Sequence, residues 1–356
     1  MAARITIMAG GTGGHVFPAL AVAHELAARG WQISWLGTPD SFESRVVPAH
    51  GFELDTVPAH RLRGEGLGER LLAPLRLLRA MRQAWQVLRR RRPQVVLGMG
   101  GFVTGPGGLV SRLMGTPLVV HEQNAVPGLT NRFLARVATR VLEAFPGSFP
   151  AAAAAQVTGN PIRAEIAAMP EPTPIDVDRP LHLLIVGGSQ GAQALNETLP
   201  AALAAIPREE RPLVRHQAGR GKGEATQAAY QSHGVAAEVS EFVDDMAAAY
   251  AWADLAVCRA GALTVSELMA AGLPAILVPF PFAVDDHQTV NARYLTQADA
   301  ARLMPQSVMD PESLSGLLRG LLSDRAALHA MARRAYRLAR RDATMRVADA
   351  CEEIAA

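Results

Sequence analysis

Cysteine and aromatic residues are scarce in this sequence. Its 356 residues include only two cysteines, Cys258 and Cys351, which lie far apart and show no metal-ligand spacing. This scarcity excludes a disulfide framework and fits a reducing cytoplasm. Aromatic residues make up 5% of the chain, and no pattern of an RNA- or DNA-binding module is present, so we expect no nucleic-acid partner.

Long hydrophobic runs are also missing. No apolar run reaches the length that spans a membrane, and no signal-peptide hydrophobic region precedes the first apolar run, residues 5–8. We therefore expect a protein that is soluble or, at most, peripheral to a membrane.

Ample core material is present in a long chain. Hydrophobic residues make up 49% of the sequence, and 35 basic residues balance 33 acidic ones, a composition typical of a folded protein. The length predicts two domains of ordinary size.

Two glycine-rich loops organise the sequence. The first, AGGTGGHVFP at residues 9–18, separates the first apolar run from a helix predicted over residues 19–28. The second, at residues 187–191, follows a strand predicted over 182–186. A strand, a glycine loop and a helix in this order direct backbone N–H groups toward an anion. Two such junctions predict two similar domains that face one cleft.

Short apolar runs alternate with helical patterns along the chain. This alternation predicts an α/β fold with doubly wound parallel sheets and helices on both faces. Predicted strands cover residues 5–8, 32–36, 52–57, 94–97, 117–121, 141–145, 182–186, 213–217, 255–258 and 275–279. We expect a loop at residues 105–108 to lead into a helix.

Proline-rich segments on either side of residues 157–163 indicate where the domains meet. They predict an N-terminal domain over residues 1–160 and a C-terminal domain over 161–340. A last helix, within residues 341–356, is expected to pack back on the first domain.

The first glycine loop by itself leaves its ligand open. A dinucleotide site needs an acidic residue about 20 residues after the loop, but the second strand ends in Leu-Gly-Thr and the next carboxylate is Asp40. This disfavours a nicotinamide cofactor. His15 lies at the junction of loop and helix, where a helix N-terminus lowers an imidazole's affinity for a proton and suits it to general-base work. The alternative is a histidine bonded locally for structure.

A second polar cluster follows the strand at residues 255–258. Residues 259–267 place a helix N-terminus at the ligand edge of the sheet, where Glu267 could accept from a ribose diol or only interact with the helix dipole. Gln288 and Asn291 share one helical face and offer amides to sugar hydroxyls. Asp285 and Asp286 suggest a solvated turn or helix cap rather than a metal site.

The segment from Arg61 to Arg92 is strongly basic. It contains ten arginines against two glutamates, a net charge of +8. Apolar residues recur there at helical spacing, and Pro74 is predicted in the first helical turn. Such a helix either packs on its sheet with a solvated charged face or lies partly on an anionic membrane surface.

Five motifs together closely resemble the MurG family of bacterial glycosyltransferases. They are GGTGGHVFP at 10–18, GMGGFV at 98–103, HEQN at 121–124, GGSQGA at 187–192 and RAGALTVSE at 259–267. The resemblance covers nearly the whole chain. It implies a GT-B fold, in which two Rossmann-like domains with parallel sheets face an interdomain cleft.

The resemblance also implies roles for individual residues. His15 is implied as the catalytic base and Glu122 as its reserve, with no metal and no cofactor. The implied residues for UDP-GlcNAc are Thr12, Gly13, Gly14, Asn124, Arg163, Ser189, Val243, Ala262, Leu263, Thr264, Val265, Ser266, Glu267, Gln288 and Asn291. Those for the acceptor are Gly10, Gly11, Gly101, Gly105, Gly107 and Gly108, and those for membrane contact are Arg70, Leu71, Leu72, Leu75, Arg76, Arg79, Arg82 and Trp85.

The implied reaction is an inverting transfer of GlcNAc from UDP-GlcNAc to the C4 hydroxyl of undecaprenyl-diphosphate-MurNAc-pentapeptide, lipid I, which gives lipid II for peptidoglycan. The implied location is the cytoplasmic face of the bacterial inner membrane, with other cell-wall or division proteins as candidate partners. A UDP-GlcNAc epimerase on the same scaffold and a non-catalytic nucleotide- or membrane-binding adaptor are the alternatives.

Overall fold

The structure, a computed structural model, describes residues 2–58, 67–188 and 191–355, and for residues 67–72 and 284 the description is of the backbone. The chain divides into two compact units. Unit 1 combines the residues up to Arg163 with those from Arg340 onward, and unit 2 is Ala164–Ala339.

Helices and strands alternate through both units. Unit 1 contains, in chain order, β1 (Arg4–Met8), α1 (Gly13–Ala28), β2 (Gln32–Gly37), α2 (Phe42–Ala49), β3 (Glu53–Thr56), α3 (Leu67–Arg91), β4 (Val95–Gly98), α4 (Thr104–Leu113), β5 (Leu118–Glu122), α5 (Leu129–Leu134), β6 (Arg140–Glu143) and β7 (Gln156–Val157).

Unit 2 then contains α6 (Ala164–Ala167), β8 (His182–Val186), α7 (Gln193–Ala204), β9 (Leu213–Gln217), α8 (Gly223–Ser232), β10 (Glu238–Ser240), α9 (Met246–Trp252), β11 (Leu255–Cys258), α10 (Ala262–Ala271), β12 (Ala275–Leu277), α11 (His287–Thr296), β13 (Ala301–Leu303), α12 (Pro311–Leu322) and α13 (Arg325–Leu338). The last helix, α14 (Ala343–Ala355), belongs to unit 1.

Each unit is built on one sheet of parallel strands, which confirms the predicted fold class. The strand order is β3-β2-β1-β4-β5-β6-β7 in unit 1 and β10-β9-β8-β11-β12-β13 in unit 2. The order reverses between β1 and β4 and between β8 and β11. Ligands of open α/β sheets bind at the carboxyl ends of such strand pairs. Four of the five sequence motifs lie at the carboxyl ends of these four strands, and the fifth lies at the carboxyl end of β5.

The core of unit 1 lies on both faces of its sheet because successive side chains of a strand point to opposite faces. Ile5, Ile7 and Leu97 pack with α1 and α14 on one face. Met8 and Val96 pack with α3 and α4 on the other. Central strands that are covered on both faces are apolar throughout, and β4 is buried along its whole length.

The helix α14 returns to unit 1 after the whole of unit 2. Val347 and Cys351 are fully buried in the unit 1 core. Arg29 at the end of α1 anchors this helix through Asp349, at 2.6 Å, and Glu352, at 2.7 Å.

Two helices begin earlier than predicted. Helix α1 begins at Gly13 and runs through Pro18, although a proline at this position cannot donate the intrahelical hydrogen bond. Helix α3 is already formed at Leu67, so Pro74 lies inside it rather than in its first turn. The strands β7, β10 and β13 were not predicted, and each has only two or three residues.

The predicted loop at residues 105–108 is wrong, because these residues form the first turns of α4. Gly107 and Gly108 are buried there. A Cβ at Gly107 would come within 2.3 Å of Met8 Sδ, and one at Gly108 within 2.9 Å of Leu134. These two glycines therefore allow α4 to approach the sheet, and their burial corrects their expected role as acceptor residues.

The packing of α4 gives a stability prediction. We expect Gly107→Ala to lower the free energy of unfolding by about 1–3 kcal/mol, because the added methyl overpacks against Met8 and Leu36. Gly105→Ala in the same helix is the control, since its Cβ would meet only Thr130 at 3.5 Å and alanine favours helix. Thermal unfolding of both variants measures the difference, and equal midpoints would contradict this account.

Candidate active site

The first glycine loop lies against the loop that follows β4. Gly10 N–H donates to Gly100 O at 3.2 Å, and Met99 N–H donates to Met8 O at 2.8 Å. Gly101 has a φ of +95°, and a Cβ there would lie 2.6 Å from Gly10 O. Only glycine fits this approach, so the two loops form one backbone surface at the carboxyl ends of β1 and β4.

A buried carboxylate supports this surface. Glu43 of α2 accepts from Gly11 N–H at 3.0 Å, from Thr38 N–H at 3.0 Å and from the Thr38 hydroxyl at 2.5 Å. Burial alone would raise the pKa of Glu43, but hydrogen bonds from Thr38 and Gly11 outweigh it and hold the pKa below its usual range. Glu43, an acidic residue shortly after β2, therefore binds the protein's own glycine loop.

Helix α1 begins directly after this loop. Thr12 precedes it in an extended conformation, and in the described part of the chain no side chain caps its N-terminus and no acidic residue occupies its first turn. By contrast, Ser41 caps α2 and Asp310 caps α12. An uncapped N-terminus at a ligand edge leaves backbone N–H groups that suit an anion. Gly13 and Gly14 form this first turn and are partly exposed.

His15 is the third residue of α1 and is partly exposed. Its Nδ1 lies 2.7 Å from Gln123 Oε1. Its ring lies against Gly100, where a Cβ would come within 2.9 Å of the imidazole. The structure thus brings the base candidate together with the HEQN motif at the end of β5.

Glu122, the reserve base, is 1% exposed, and both of its oxygens already accept hydrogen bonds. Oε1 accepts from Asn124 N–H at 2.9 Å, and Oε2 accepts from Gly128 N–H at 3.1 Å and from Asn131 Nδ2 at 2.8 Å. A carboxylate in this setting organises the turn after β5. We therefore withdraw Glu122 as the reserve base and assign it a structural role.

Two further expected donor residues lie in unit 1. Asn124 is partly buried and bonded to Glu122. Arg163 places its guanidinium 5.2 Å from the centre of the Phe17 ring. Nearby in sequence, Asn160 is 4% exposed, and both of its amide atoms lack a hydrogen-bond partner among the residues the structure covers.

In unit 2 the second glycine loop has a similar support. Gln217 at the end of β9 accepts from Gly188 N–H at 3.0 Å and donates to Gly188 O at 3.1 Å and Glu241 O at 2.8 Å. Gly191 has a φ of +68°, and a Cβ there would lie 2.1 Å from Ala218 O. The expected phosphate ligand Ser189 lies outside the described residues.

The N-terminus of α10 is the second anion-type junction of unit 2. Gly261 precedes the helix, and within the described ranges no side chain caps it. Leu263 and Thr264 are partly exposed, whereas Ala262, Val265 and Ser266 are buried. The side chains of Val265 and Ser266 therefore do not face a ligand, and Val265 N–H already donates to Gly261 O at 2.9 Å.

Charged groups flank this helix start. Arg259 donates to Val278 O, to Pro279 O and to Gln306 Oε1, the last at 2.7 Å, and burial lowers the pKa of its guanidinium. Glu267 is 4% exposed, and the Tyr250 hydroxyl donates to its Oε2 at 3.1 Å. Val243 lies between β10 and α9 and is partly buried.

The two amides expected to contact GlcNAc differ in position. Gln288 is partly exposed, and its Oε1 accepts from Phe280 N–H at 2.9 Å. Asn291 is completely buried, and its Nδ2 donates to Ala260 O at 3.2 Å. Asn291 therefore ties α11 to the loop before α10 and is withdrawn as a direct sugar contact.

Asp285 and Asp286 adopt left-handed conformations, and the described residues contain no group of three side chains suited to a metal.

The basic helix α3 has one buried apolar face and further apolar side chains that are exposed. Ala80, Ala84 and Leu88 are buried, whereas Leu75, Leu78 and Trp85 are 64%, 61% and 40% exposed. Arg79 and Arg82 are exposed beside them and Arg76 is partly exposed, while Arg90 and Arg91 pair with Asp55. The side chains of Arg70, Leu71 and Leu72 lie outside the described residues. None of the described helices is long and apolar enough to span a membrane.

Sequence reasoning missed the residues that support the site. Glu43 and Gln217 bond to loops that are distant from them in sequence, so only the tertiary structure shows their partners. Gln123 lies inside the HEQN motif, and this position was the one signal available.

The whole chain matches known proteins. The family model of the glycosyltransferase family 28 N-terminal domain matches residues 5–143, and that of the glycosyltransferase family 28 C-terminal domain matches residues 182–354. The UDP-N-acetylglucosamine–N-acetylmuramyl-(pentapeptide) pyrophosphoryl-undecaprenol N-acetylglucosamine transferase of Methylococcus capsulatus is 55% identical over 353 residues, covering 99% of both chains. That of Aeromonas hydrophila is 54% identical over 357 residues, covering 100% of this chain and 98% of the relative.

Solved structures agree with these relatives. The crystal structure of Acinetobacter baumannii MurG superposes with a TM-score of 0.84 at 44% identity, covering 99% of both chains. A Listeria monocytogenes protein assigned as a UDP-N-acetylglucosamine 2-epimerase gives a TM-score of 0.65 at 14% identity, covering 98% of this chain and 95% of that one. This second likeness is one of fold alone and gives the epimerase alternative no support.

The contacts of Glu43 give a prediction with a defined pH dependence. Glu43→Gln is expected to destabilise the protein by about 1–3 kcal/mol at pH 7, because an amide cannot accept from all three donors. Because the pKa of Glu43 in the folded state is below the unfolded value of about 4.3, its ionised carboxylate stabilises the fold above that pH. This stabilisation is lost as the pH falls through the folded-state pKa. Urea unfolding of both proteins at pH 7 and in mild acid should show the difference shrinking below about pH 4.3; a difference that grows on acidification would refute the assignment.

Proposed function

The chain belongs to glycosyltransferase family 28 and, within it, to the MurG family, and from this premise we propose that it transfers GlcNAc from UDP-GlcNAc to the C4 hydroxyl of undecaprenyl-diphosphate-MurNAc-pentapeptide. It is an N-acetylglucosaminyltransferase with the GT-B fold. The observation that carries the proposal is 55% identity to a transferase of that specificity along 99% of both chains.

Unit 2 is proposed to hold the donor nucleotide. The uncapped start of α10 suits the diphosphate. Glu267 is proposed to accept from the ribose diol, with the Tyr250 hydroxyl at 3.1 Å holding its carboxylate in place. Ser189, Val243 and Gln288 remain proposed donor contacts, as do Asn124 and Arg163 of unit 1.

Unit 1 is proposed to hold the acceptor. The loops after β1 and β4 present a glycine backbone that a diphosphate-linked sugar can approach closely, with Gly10, Gly11 and Gly101 at its centre. His15 is proposed as the general base because its ring stands at the start of α1 beside this surface.

The transfer is proposed to proceed in one inverting step. The C4 oxygen of MurNAc attacks C1 of GlcNAc, the bond from C1 to the UDP oxygen breaks, and UDP leaves with the electron pair. The hydroxyl proton moves to His15. Backbone N–H groups at the helix starts stabilise the charge that develops on the diphosphate, an arrangement that stabilises the transition state more than the ground state.

Helix α3 is proposed to contact an anionic membrane from the cytoplasmic side. Exposed Leu75, Leu78 and Trp85 would enter the interface, and Arg79 and Arg82 would meet lipid phosphates. This contact would bring the enzyme to an acceptor that is itself anchored in the membrane.

The transfer itself is tested with labelled UDP-GlcNAc, with and without a polyprenyl-diphosphate MurNAc-pentapeptide. Label is expected in the lipid phase only when the acceptor is present. UDP-sugar turnover without acceptor would favour an epimerase, and binding of UDP-GlcNAc without any turnover would favour an adaptor.

In the same assay His15→Ala is expected to lower kcat by about 10²–10⁴-fold, the usual contribution of a general base, with little change in UDP-GlcNAc affinity. His24→Ala is the control, because His24 lies exposed on the same helix. Near-normal turnover of His15→Ala would remove His15 from the role.

Membrane contact is tested by flotation with anionic vesicles. Leu75→Asp combined with Leu78→Asp is expected to weaken vesicle binding at least about tenfold, since both side chains would lose burial worth about 1.5–3 kcal/mol each. Leu113→Asp is the matched control, because Leu113 is 69% exposed outside α3. Equal loss in both variants, or binding to neutral vesicles as strong as to anionic ones, would count against this surface.

A further inference from the structure

A chain of hydrogen bonds runs from His15 into the core of unit 1. His15 Nδ1 lies 2.7 Å from Gln123 Oε1, Gln123 Nε2 lies 3.1 Å from His121 Nδ1, and His121 Nε2 lies 2.9 Å from Gly159 O. His121 and Gln123 are 0% and 1% exposed. The three side chains therefore connect a partly exposed imidazole to a buried backbone carbonyl.

The far end of this chain fixes the direction of every hydrogen bond. A carbonyl oxygen only accepts, so His121 Nε2–H donates to Gly159 O, and neutral His121 then has an acceptor at Nδ1. The amide of Gln123 also donates to His121 O at 3.2 Å, so its nitrogen faces His121 and its oxygen faces His15. His15 Nδ1 must then be the donor to Gln123 Oε1.

We propose that Gln123 and His121 are positioning residues that hold His15 in its Nδ1–H tautomer, so that Nε2 carries the lone pair that accepts the acceptor's hydroxyl proton. The proposal rests on the proposed function of His15 as base. It adds the element that orients that base, the part an aspartate supplies in hydrolytic triads.

Several contacts keep this relay in one arrangement. Burial lowers the pKa of His121 to about 4, so this ring stays neutral and keeps its acceptor at Nδ1 at neutral pH. The saturated carboxylate of Glu122 fixes the turn that follows Gln123. The imidazole of His15 occupies the space in which a Cβ at Gly100 would lie, within 2.9 Å of the ring. An amide partner, unlike a carboxylate, orients the imidazole without adding charge beside a diphosphate substrate.

The first test separates orientation from substrate binding. Gln123→Met keeps the side-chain length but removes the acceptor for His15, and we expect kcat to fall about 10–100-fold, as for other residues that orient a reacting group, with KM for UDP-GlcNAc nearly unchanged. Gln123→Glu restores an acceptor for His15 and is expected to recover part of kcat. Gln94→Met is the control, because the one contact described for the Gln94 side chain is the hydrogen bond it accepts from Arg4 N–H.

The second test observes the tautomer directly. Nitrogen NMR of protein labelled with ¹⁵N-histidine, with the His15 signals identified by their loss in His15→Ala, should show Nδ1 protonated and Nε2 unprotonated in the neutral wild-type ring. Gln123→Met should shift the ring toward the Nε2–H form.

The outcomes distinguish the two proposals. An Nε2–H tautomer in the wild type overturns the positioning role, and this measurement does not depend on the folding of a Gln123 variant. A wild-type kcat in Gln123→Met overturns it as well. The expected tautomers together with full turnover of His15→Ala would instead overturn His15 as base and leave its orientation by Gln123 standing.

Discussion

Backbone N–H groups without intrahelical partners, aligned at one edge of a parallel sheet, are the constraint on which both units depend. A helix must satisfy its first N–H groups with a cap, with water or with a ligand. Helices α2 and α12 use serine and aspartate caps. Helices α1 and α10 instead begin without a side-chain cap in the described part of the chain. Helix α1 follows the first glycine loop and α10 follows Gly261, both beside strands where the order reverses. The same parallel topology, used twice, thus places an uncapped helix start at one edge of the described sheet in each unit.

A glycine loop alone is too flexible to hold such an edge in place, and each unit stabilises its loop with one buried side chain. Glu43 accepts from the loop of unit 1, and Gln217 both accepts from and donates to the loop of unit 2. Glu43 is tolerated as a buried carboxylate because it accepts from three donors, whereas Gln217 holds its loop without adding a charge.

Strong periodicity and glycine punctuation were enough to predict the parallel sheets, and the strands β8, β9 and β11 begin and end where the sequence indicated. Whether a glycine lies in a loop or in a helix was harder to predict. The glycines at 107 and 108 suggested a loop, but they are helical because α4 must approach Met8 and Leu134 closely. Burial was not predictable for Glu122 and Asn291. Both are polar residues in motifs, and only tertiary contacts show that their hydrogen bonds are made within the protein.

The return of α14 to unit 1 has a consequence for how the chain is made. The core around Ile5 and Leu97 includes Val347 and Cys351, which leave the ribosome only after all of unit 2. Unit 2 is continuous in sequence and can complete its core during synthesis, whereas unit 1 must wait with an apolar face uncovered. A chain that stops shortly after α13 would therefore impair the folding of the half made first and leave the half made last intact.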